Sequence, residues 1–176
     1  MKLKLVCIYV DLIQLILDLL IILIKMRVIV LENIRSAYNV WNIIRTADAL
    51  WRKVWICGYT PDPFDHKKVT KTSLGAENSV DLKQFGYTQD VIKYAKENNF
   101  KIIAAEIYDW AIDLSDFSDN LNKEQDLAVV FGNEVDGVLK STLAEVDNVV
   151  YIPMKWVKES LNVWQTSAIF MRELNN

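Results

Sequence analysis

Residues 127–137, LAVVFGNEVDG, combine a five-residue apolar run with an abrupt polar turn bounded by two glycines. A strand without polar alternation is typical of a parallel sheet that helices cover on both faces. Similar β-rich runs occur at 27–31, 53–57, 101–105 and 148–152, and helical patterns occur near 36–50, 88–98, 136–145 and 161–174. The sequence therefore predicts a one-domain α/β protein with a mostly parallel sheet and helices on both faces. Thr88 is expected to cap its helix.

The composition excludes several kinds of site. One histidine, His66, and two cysteines, Cys7 and Cys57, supply neither a zinc constellation nor a disulfide framework, so we expect no metal centre and two idle thiols. A histidine-based nucleophilic site would have to be built around His66, which lies in a lysine-rich loop with no obvious nucleophile near it in sequence. The phosphate-binding motifs GxGxxG and GxxxxGK(S/T) are missing as well.

Charge is distributed unevenly along the chain. The net charge is −3, but residues 26–76 carry a balance of +4 and residues 77–176 a balance of −8. This asymmetry allows a local phosphate-binding face on an acidic protein, and a merely solvated surface fits the same pattern.

Residues 1–25 differ from the rest because they consist largely of Leu, Ile and Val. The apolar stretch approaches the ~20 residues that span a bilayer, but its two aspartates would each cost about 3 kcal/mol at mid-membrane. We interpret 1–25 as an apolar extension and 26–176 as the domain. The extension is either upstream sequence before a start at Met26 or an added helix, and a membrane anchor fits least well.

Three further stretches carry the functional signal. They are residues 33–50, residues 130–137, and the pair 152–155 and 160–163. In the first, Asn39 precedes Arg45 by six positions at the start of a helical pattern; in the second, a strand ends in Gly132-Asn133-Glu134. Their order, spacing and placement at strand ends resemble motifs 1, 2 and 3 of the SpoU/TrmH RNA 2′-O-methyltransferases of the SPOUT class. The resemblance covers residues 26–176.

This resemblance implies a fold in which the C-terminal segment forms a deep trefoil knot, a rare exception to unknotted topology. It also implies a cytoplasmic homodimer with RNA lying across both subunits and S-adenosylmethionine as cofactor. The implied reaction is methyl transfer to a ribose 2′-hydroxyl of tRNA or rRNA. Because the domain is nearly all of the chain, it resembles the minimal members of the family.

The resemblance also implies roles for single residues. A guanidinium keeps its proton but can clamp a phosphate and orient the adjacent ribose, and the family implicates the arginine matching Arg45 in activating the 2′-hydroxyl. The implied catalytic residues are Arg45, Asn39, Glu134, Ser160 and Asn162. The implied cofactor-binding residues are Gly132, Ile152, Met154, Ser160 and Leu161. The implied RNA-binding residues are Arg35, Arg45, Lys67, Lys68 and Lys71.

Plain structural interpretations stand beside these roles. Glu134 could be an acid favoured at a helix N-terminus, and Ser160 and Asn162 could cap the last helix. Arg45 could be a surface arginine, and the apolar residues could belong to the core.

Four tryptophans depart from the family pattern. Trp41, Trp51 and Trp156 stand where the family has glycine, and Trp164 stands where it has a small residue. The chain has six tryptophans and only five glycines, whereas glycine averages about 7% of residues. Either some tryptophans are glycines in the organism, encoded by UGA, or the chain is a catalytically inactive RNA-binding or dimerisation homologue whose pocket the indoles block.

The coding DNA separates these hypotheses. If the tryptophans replace glycines through an altered genetic code, sequencing the gene should show UGA at positions 41, 51, 156 and 164. Ordinary UGG codons at these positions would exclude the altered code.

Overall fold

The computed structural model describes residues 25–51, 53–63, 80–155 and 160–175. Within these ranges, one sheet contains the strands β1 (Arg27–Glu32), β2 (Lys53–Cys57), β3 (Asp81–Phe85), β4 (Lys101–Ala105), β5 (Ile112–Asp113), β6 (Leu127–Phe131) and β7 (Asn148–Tyr151). The helices are α1 (Ala37–Leu50), α2 (Thr88–Glu97), α3 (Leu114–Asp119), α4 (Lys140–Leu143) and α5 (Val163–Glu173).

The sheet has the order β3-β2-β1-β6-β4-β7-β5, and every neighbouring pair is parallel. Its two faces are covered by different helices. Ile29 and Phe131 point into one apolar cluster with residues of α1, α3 and α5, whereas Val30 and Ala128 point into a second cluster with residues of α2. Burial on both faces explains why β1 and β6 are almost uniformly apolar. The predicted α/β class is confirmed.

Two strands escaped the sequence prediction, and both lie at the ends of the sheet. Strand β3 reads DLKQF and is mostly exposed, because an edge strand has only one neighbour and is covered less. Strand β5 has only two residues. The five strands that the sequence predicted are present, the last ending at Tyr151.

Two details of the helix prediction are wrong. The helix expected over 136–145 is only α4, because the Asn133 side chain accepts hydrogen bonds from the Val135 and Asp136 amides and holds that segment in a turn. Thr88 does not cap α2: Tyr87 does, with an extended backbone, and the Thr88 hydroxyl lies 3.4 Å from the Cys57 sulfur. Burial raises the pKa of the Cys57 thiol to about 11, so this thiol stays protonated at neutral pH.

Among the described residues, none of the helices combines the length and apolar character needed to cross a membrane. The same part of the chain holds no group of three or more His, Cys, Asp or Glu that could bind a metal ion. The apolar segment 1–24, His66, the basic residues Lys67, Lys68 and Lys71, and Trp156 lie outside the described residues. The division into extension and domain stays a prediction.

Trp51 does not occupy a glycine turn. It ends α1 with a φ of −121°, which any residue can adopt, and only 7% of its surface is exposed. Its indole N–H donates a 3.0 Å hydrogen bond to the Met171 carbonyl of α5. Trp41 is buried within regular α1 helix, and Trp164 is half-buried against the core. Trp51 is therefore part of the core between α1 and α5.

We expect Trp51→Gly to lower the free energy of unfolding by about 3–5 kcal/mol, because it leaves a cavity between α1 and α5. Trp51→Phe, which keeps most of the ring volume but loses the N–H donor to Met171, should cost about 1–2 kcal/mol. Urea denaturation of the two variants measures both values. A glycine variant as stable as the parent would show that the indole is not part of the core.

Candidate functional site

A cavity of about 480 Å³ opens at the carboxyl edge of the sheet, beyond the ends of β4, β6 and β7. Ligands bind at this edge in open parallel sheets because the loops that leave the strands form a crevice there. Seven sequence-predicted site residues line the cavity: Gly132, Glu134, Ile152, Met154, Ser160, Leu161 and Asn162. The structure thus brings together all the residues predicted to bind cofactor and three of those predicted to be catalytic.

The floor of this cavity depends on a close crossing of two backbone segments. A Cβ atom on Gly132 would lie 2.0 Å from the carbonyl carbon of Gly137, so only glycine fits there. Gly137 has a φ of +69°, and the Glu106 carboxylate lies where its side chain would be. The Glu106 carboxylate also accepts a 2.9 Å hydrogen bond from the Val138 amide. The turn after β6 is therefore folded tightly back on itself and pinned to the end of β4.

Glu134 reaches from this turn to the N-terminus of α1. Its carboxylate accepts a 2.6 Å hydrogen bond from the Asn39 side-chain amide and a 3.3 Å hydrogen bond from the Arg35 backbone amide. Partial burial raises the pKa of the Glu134 carboxyl. Hydrogen bonds from its own backbone amide, from the Asn39 side chain, and from the Arg35 and Ser36 backbone amides lower it. The hydrogen bonds outweigh the burial, so the pKa lies below its ordinary value. Glu134 therefore lies at a helix N-terminus, as the structural interpretation stated, but the helix is α1. The helix that follows Glu134 in sequence, α4, begins only at Lys140.

Asn162 both caps a helix and lines the cavity. Its side-chain oxygen accepts a 3.1 Å hydrogen bond from the Trp164 amide, so it is the N-cap of α5 as the structural interpretation proposed. It also lines the cavity. Ser160 is exposed on the cavity rim, two residues before that cap.

Arg45 lies away from this group. It follows Asn39 by six residues, which is about 9 Å along a helix, and its side chain is exposed. It is not among the described residues that line the cavity. The Arg35 side chain is exposed too, just before α1.

Several cavity residues were missed by the sequence prediction. Glu106 and Tyr151 line the cavity at the ends of β4 and β7, and Thr166 lines it from α5. Glu106 could have been found, because it is the first residue after a predicted strand at the edge where ligands bind. Thr166 carried no such signal, since its approach depends on how α5 packs.

A doubly covered parallel sheet with a polar-rimmed crevice at its carboxyl edge defines a ligand-binding α/β protein. The family model for the SpoU rRNA Methylase family matches residues 26–172. The chain therefore belongs to the SpoU rRNA Methylase family.

Individual relatives agree with this membership. The chain is 27% identical over 148 residues to the tRNA (guanosine(18)-2′-O)-methyltransferase of Escherichia coli. The aligned region covers 81% of this chain and 60% of that protein. It is 29% identical to the protein of the same name from Thermus thermophilus, covering 82% and 72%. An AdoMet-bound rRNA methyltransferase from Sinorhizobium meliloti has the same fold, with a TM-score of 0.76, 22% identity and coverage of 85% and 55%. The chain thus spans little more than half the length of some of its relatives.

We expect Asn39→Ala to raise the pKa of Glu134 towards its ordinary value, because the carboxylate loses its shortest hydrogen bond. A lowered carboxyl pKa stabilises the fold above the ordinary pKa, and this stabilisation is lost as pH falls through the folded-state pKa. The free energy of unfolding of the variant should therefore be lower than that of the parent by about 1 kcal/mol at neutral pH and by little in acid. This figure is reduced for the partial exposure of Glu134.

Titration of the Glu134 carboxyl carbon by NMR measures the shift. Asn42→Ala is the matched control, since the Asn42 amide donates to the Tyr38 carbonyl on the same helix and does not contact Glu134. If the Glu134 pKa is unchanged in Asn39→Ala, then the hydrogen bond does not set it.

Proposed function

We propose that this chain transfers a methyl group from S-adenosylmethionine to a ribose 2′-hydroxyl of tRNA or rRNA. The observation that carries the proposal is the meeting of segments 132–134, 152–154 and 160–162 around one cavity. The names of the E. coli and T. thermophilus relatives, both tRNA ribose methyltransferases, support the same reaction and favour tRNA.

The cavity fits this cofactor in size and chemistry. Its volume of about 480 Å³ lies within the range of small-molecule sites. The apolar side chains of Ile152, Met154 and Leu161 suit an adenine ring, and the lining carboxylates Glu106 and Glu134 favour a cation. The tight crossing at Gly132 keeps side chains out of the cavity floor.

When bound, S-adenosylmethionine supplies a methyl group on a positively charged sulfur, open to in-line attack by a hydroxyl oxygen. The chain must then align that hydroxyl and help remove its proton. Asn39 and Glu134 fix the N-terminus of α1 beside the cavity, and Ser160 and Asn162 present polar groups at the rim. We assign Arg45 to the RNA phosphate and the adjacent ribose, because its planar fork binds phosphate through two hydrogen bonds.

We also propose that the protein acts as a homodimer in the cytoplasm. The exposure of Arg45, away from the cavity of its own chain, supports this, because RNA lying across two subunits would bring a second α1 to the site. A C-terminal trefoil knot is the matching proposal for the fold. It is supported by the insertion of β6 between β1 and β4 and by the return of α5 to pack on α1.

The inactive alternative is not favoured. Among the described residues that line the cavity there is no tryptophan, and Trp41 and Trp51 are packed elsewhere in the core.

We expect Arg45→Ala to lower the rate of tRNA methylation by about 100-fold or more, because the 2′-hydroxyl is no longer held in line with the methyl group. Its affinity for S-adenosylmethionine should stay within about twofold of the parent, because the proposed role concerns RNA. A tritiated-methyl assay and calorimetry measure the two effects. Lys123→Ala, at an exposed site near the amino end of β1, is the control. Methylation at the parental rate by Arg45→Ala would contradict the role.

A further inference from the structure

The exposed tyrosines of the described chain are concentrated at one edge of the sheet. Tyr38, Tyr59, Tyr87 and Tyr108 are 61%, 57%, 72% and 40% exposed. Each follows the carboxyl end of a different strand, β1, β2, β3 and β4 respectively. By contrast, Tyr94 lies in α2 and packs its ring against Trp55 and Phe85.

The order of the strands places the segments that carry these tyrosines along the same edge of the sheet. Strands β3, β2 and β1 are consecutive neighbours, then β6, then β4, whose end borders the cavity. Neighbouring strands lie about 4.8 Å apart, so the carboxyl ends of β3 and β4 are about 19 Å apart. We define Tyr87, Tyr59, Tyr38 and Tyr108 as the tyrosine row, in the order of the strands that they follow along the carboxyl edge. Tyr108 comes directly after Ile107, which lines the cavity.

The backbone that carries these rings is well fixed. Tyr59 follows Gly58, which has a φ of +63°, and its amide donates to the Asn33 side chain. Tyr87 is the N-cap of α2, and its carbonyl accepts from the Asp90 amide. Tyr38 lies in the first turn of α1. Rings held outwards on ordered backbone lose little further freedom when a partner stacks on them.

We propose that the tyrosine row is a stacking surface for the unpaired bases of the RNA substrate, leading a single-stranded loop into the cavity. Exposed aromatic rings bind splayed bases by stacking, and a paired helix offers no free base faces for this contact. At about 3.4 Å per stacked nucleotide, 19 Å accommodates roughly five or six nucleotides. The exposed Arg35, three residues before Tyr38, adds a positive charge that attracts the phosphate backbone of the RNA. This inference rests on the proposed function, since it names the form of RNA that the site takes.

Binding of labelled RNA to the full chain tests the proposal. The probes are a 12-nucleotide oligouridylate and a 12-base-pair RNA duplex, measured by fluorescence anisotropy at one salt concentration. We compare the triple variant Tyr38→Ala, Tyr59→Ala, Tyr87→Ala with the matched triple phenylalanine variant, which keeps every ring. Thermal unfolding and sedimentation are measured for both variants, and each single alanine variant is measured in case the triple variant does not fold.

The alanine triple variant should weaken oligouridylate binding by at least about 100-fold, and each single change by about fivefold or more. The phenylalanine variant should stay within about threefold of the parent, and the duplex should bind the parent more weakly than the single strand does. The proposal is overturned if the alanine variants bind oligouridylate like the parent, or if phenylalanine and alanine weaken it equally. It is also overturned if alanine changes only the oligomeric state, which would make the row a contact between two copies.

Failure of the proposed function gives a different result. A parent that binds oligouridylate through its tyrosines but neither binds S-adenosylmethionine nor methylates tRNA would reject the methyltransferase assignment and keep the stacking surface. A parent that methylates tRNA while the alanine triple variant retains full affinity would reject only the stacking surface.

Discussion

The site depends on the close approach of Gly132 to the backbone of Gly137. Two chain segments can cross at this distance only if the first residue has no side chain, because any Cβ would overlap the opposing carbonyl group. The crossing folds the turn after β6 back on itself, and the Glu106 carboxylate holds its returning limb through the Val138 amide. Without the crossing the turn would open, the cavity floor would be lost, and Glu134 would no longer be directed at α1.

Electrostatics join this turn to the helix that follows β1. The N-terminus of a helix presents unpaired amides and a partial positive charge, so a carboxylate is favoured there. Glu134 supplies that carboxylate from a different part of the chain, and Asn39 adds a side-chain donor. One hydrogen-bond group therefore holds together the first two motifs of the site, which are about a hundred residues apart in sequence. A buried carboxylate, Glu32, joins the end of β1 to the start of α4 by accepting hydrogen bonds from the Leu139 amide and the Thr142 hydroxyl.

The tryptophans show how far a sequence comparison can mislead about packing. A residue that replaces glycine need not be strained, because glycine is required only where φ is positive or another group approaches closely. Neither condition holds at Trp51, where the backbone is ordinary and the indole fills the space between α1 and α5. In the turn after β6 both conditions occur: another backbone segment approaches Gly132 closely, and Gly137 has a positive φ. The chain keeps glycine at both positions.

The sequence by itself determined the α/β class and five of the strands, whereas the cavity residues at 132–134, 152–154 and 160–162 were predicted from the resemblance of its motifs to the family. It could do so because apolar runs without alternation report burial on both faces, and polar residues that follow them mark the carboxyl edge. Only the tertiary structure decided that Glu134 serves α1 instead of α4, that Arg45 lies away from the cavity, and that the exposed tyrosines follow strands at one edge of the sheet. These facts depend on strand order and on hydrogen bonds between distant segments, which local pattern does not encode.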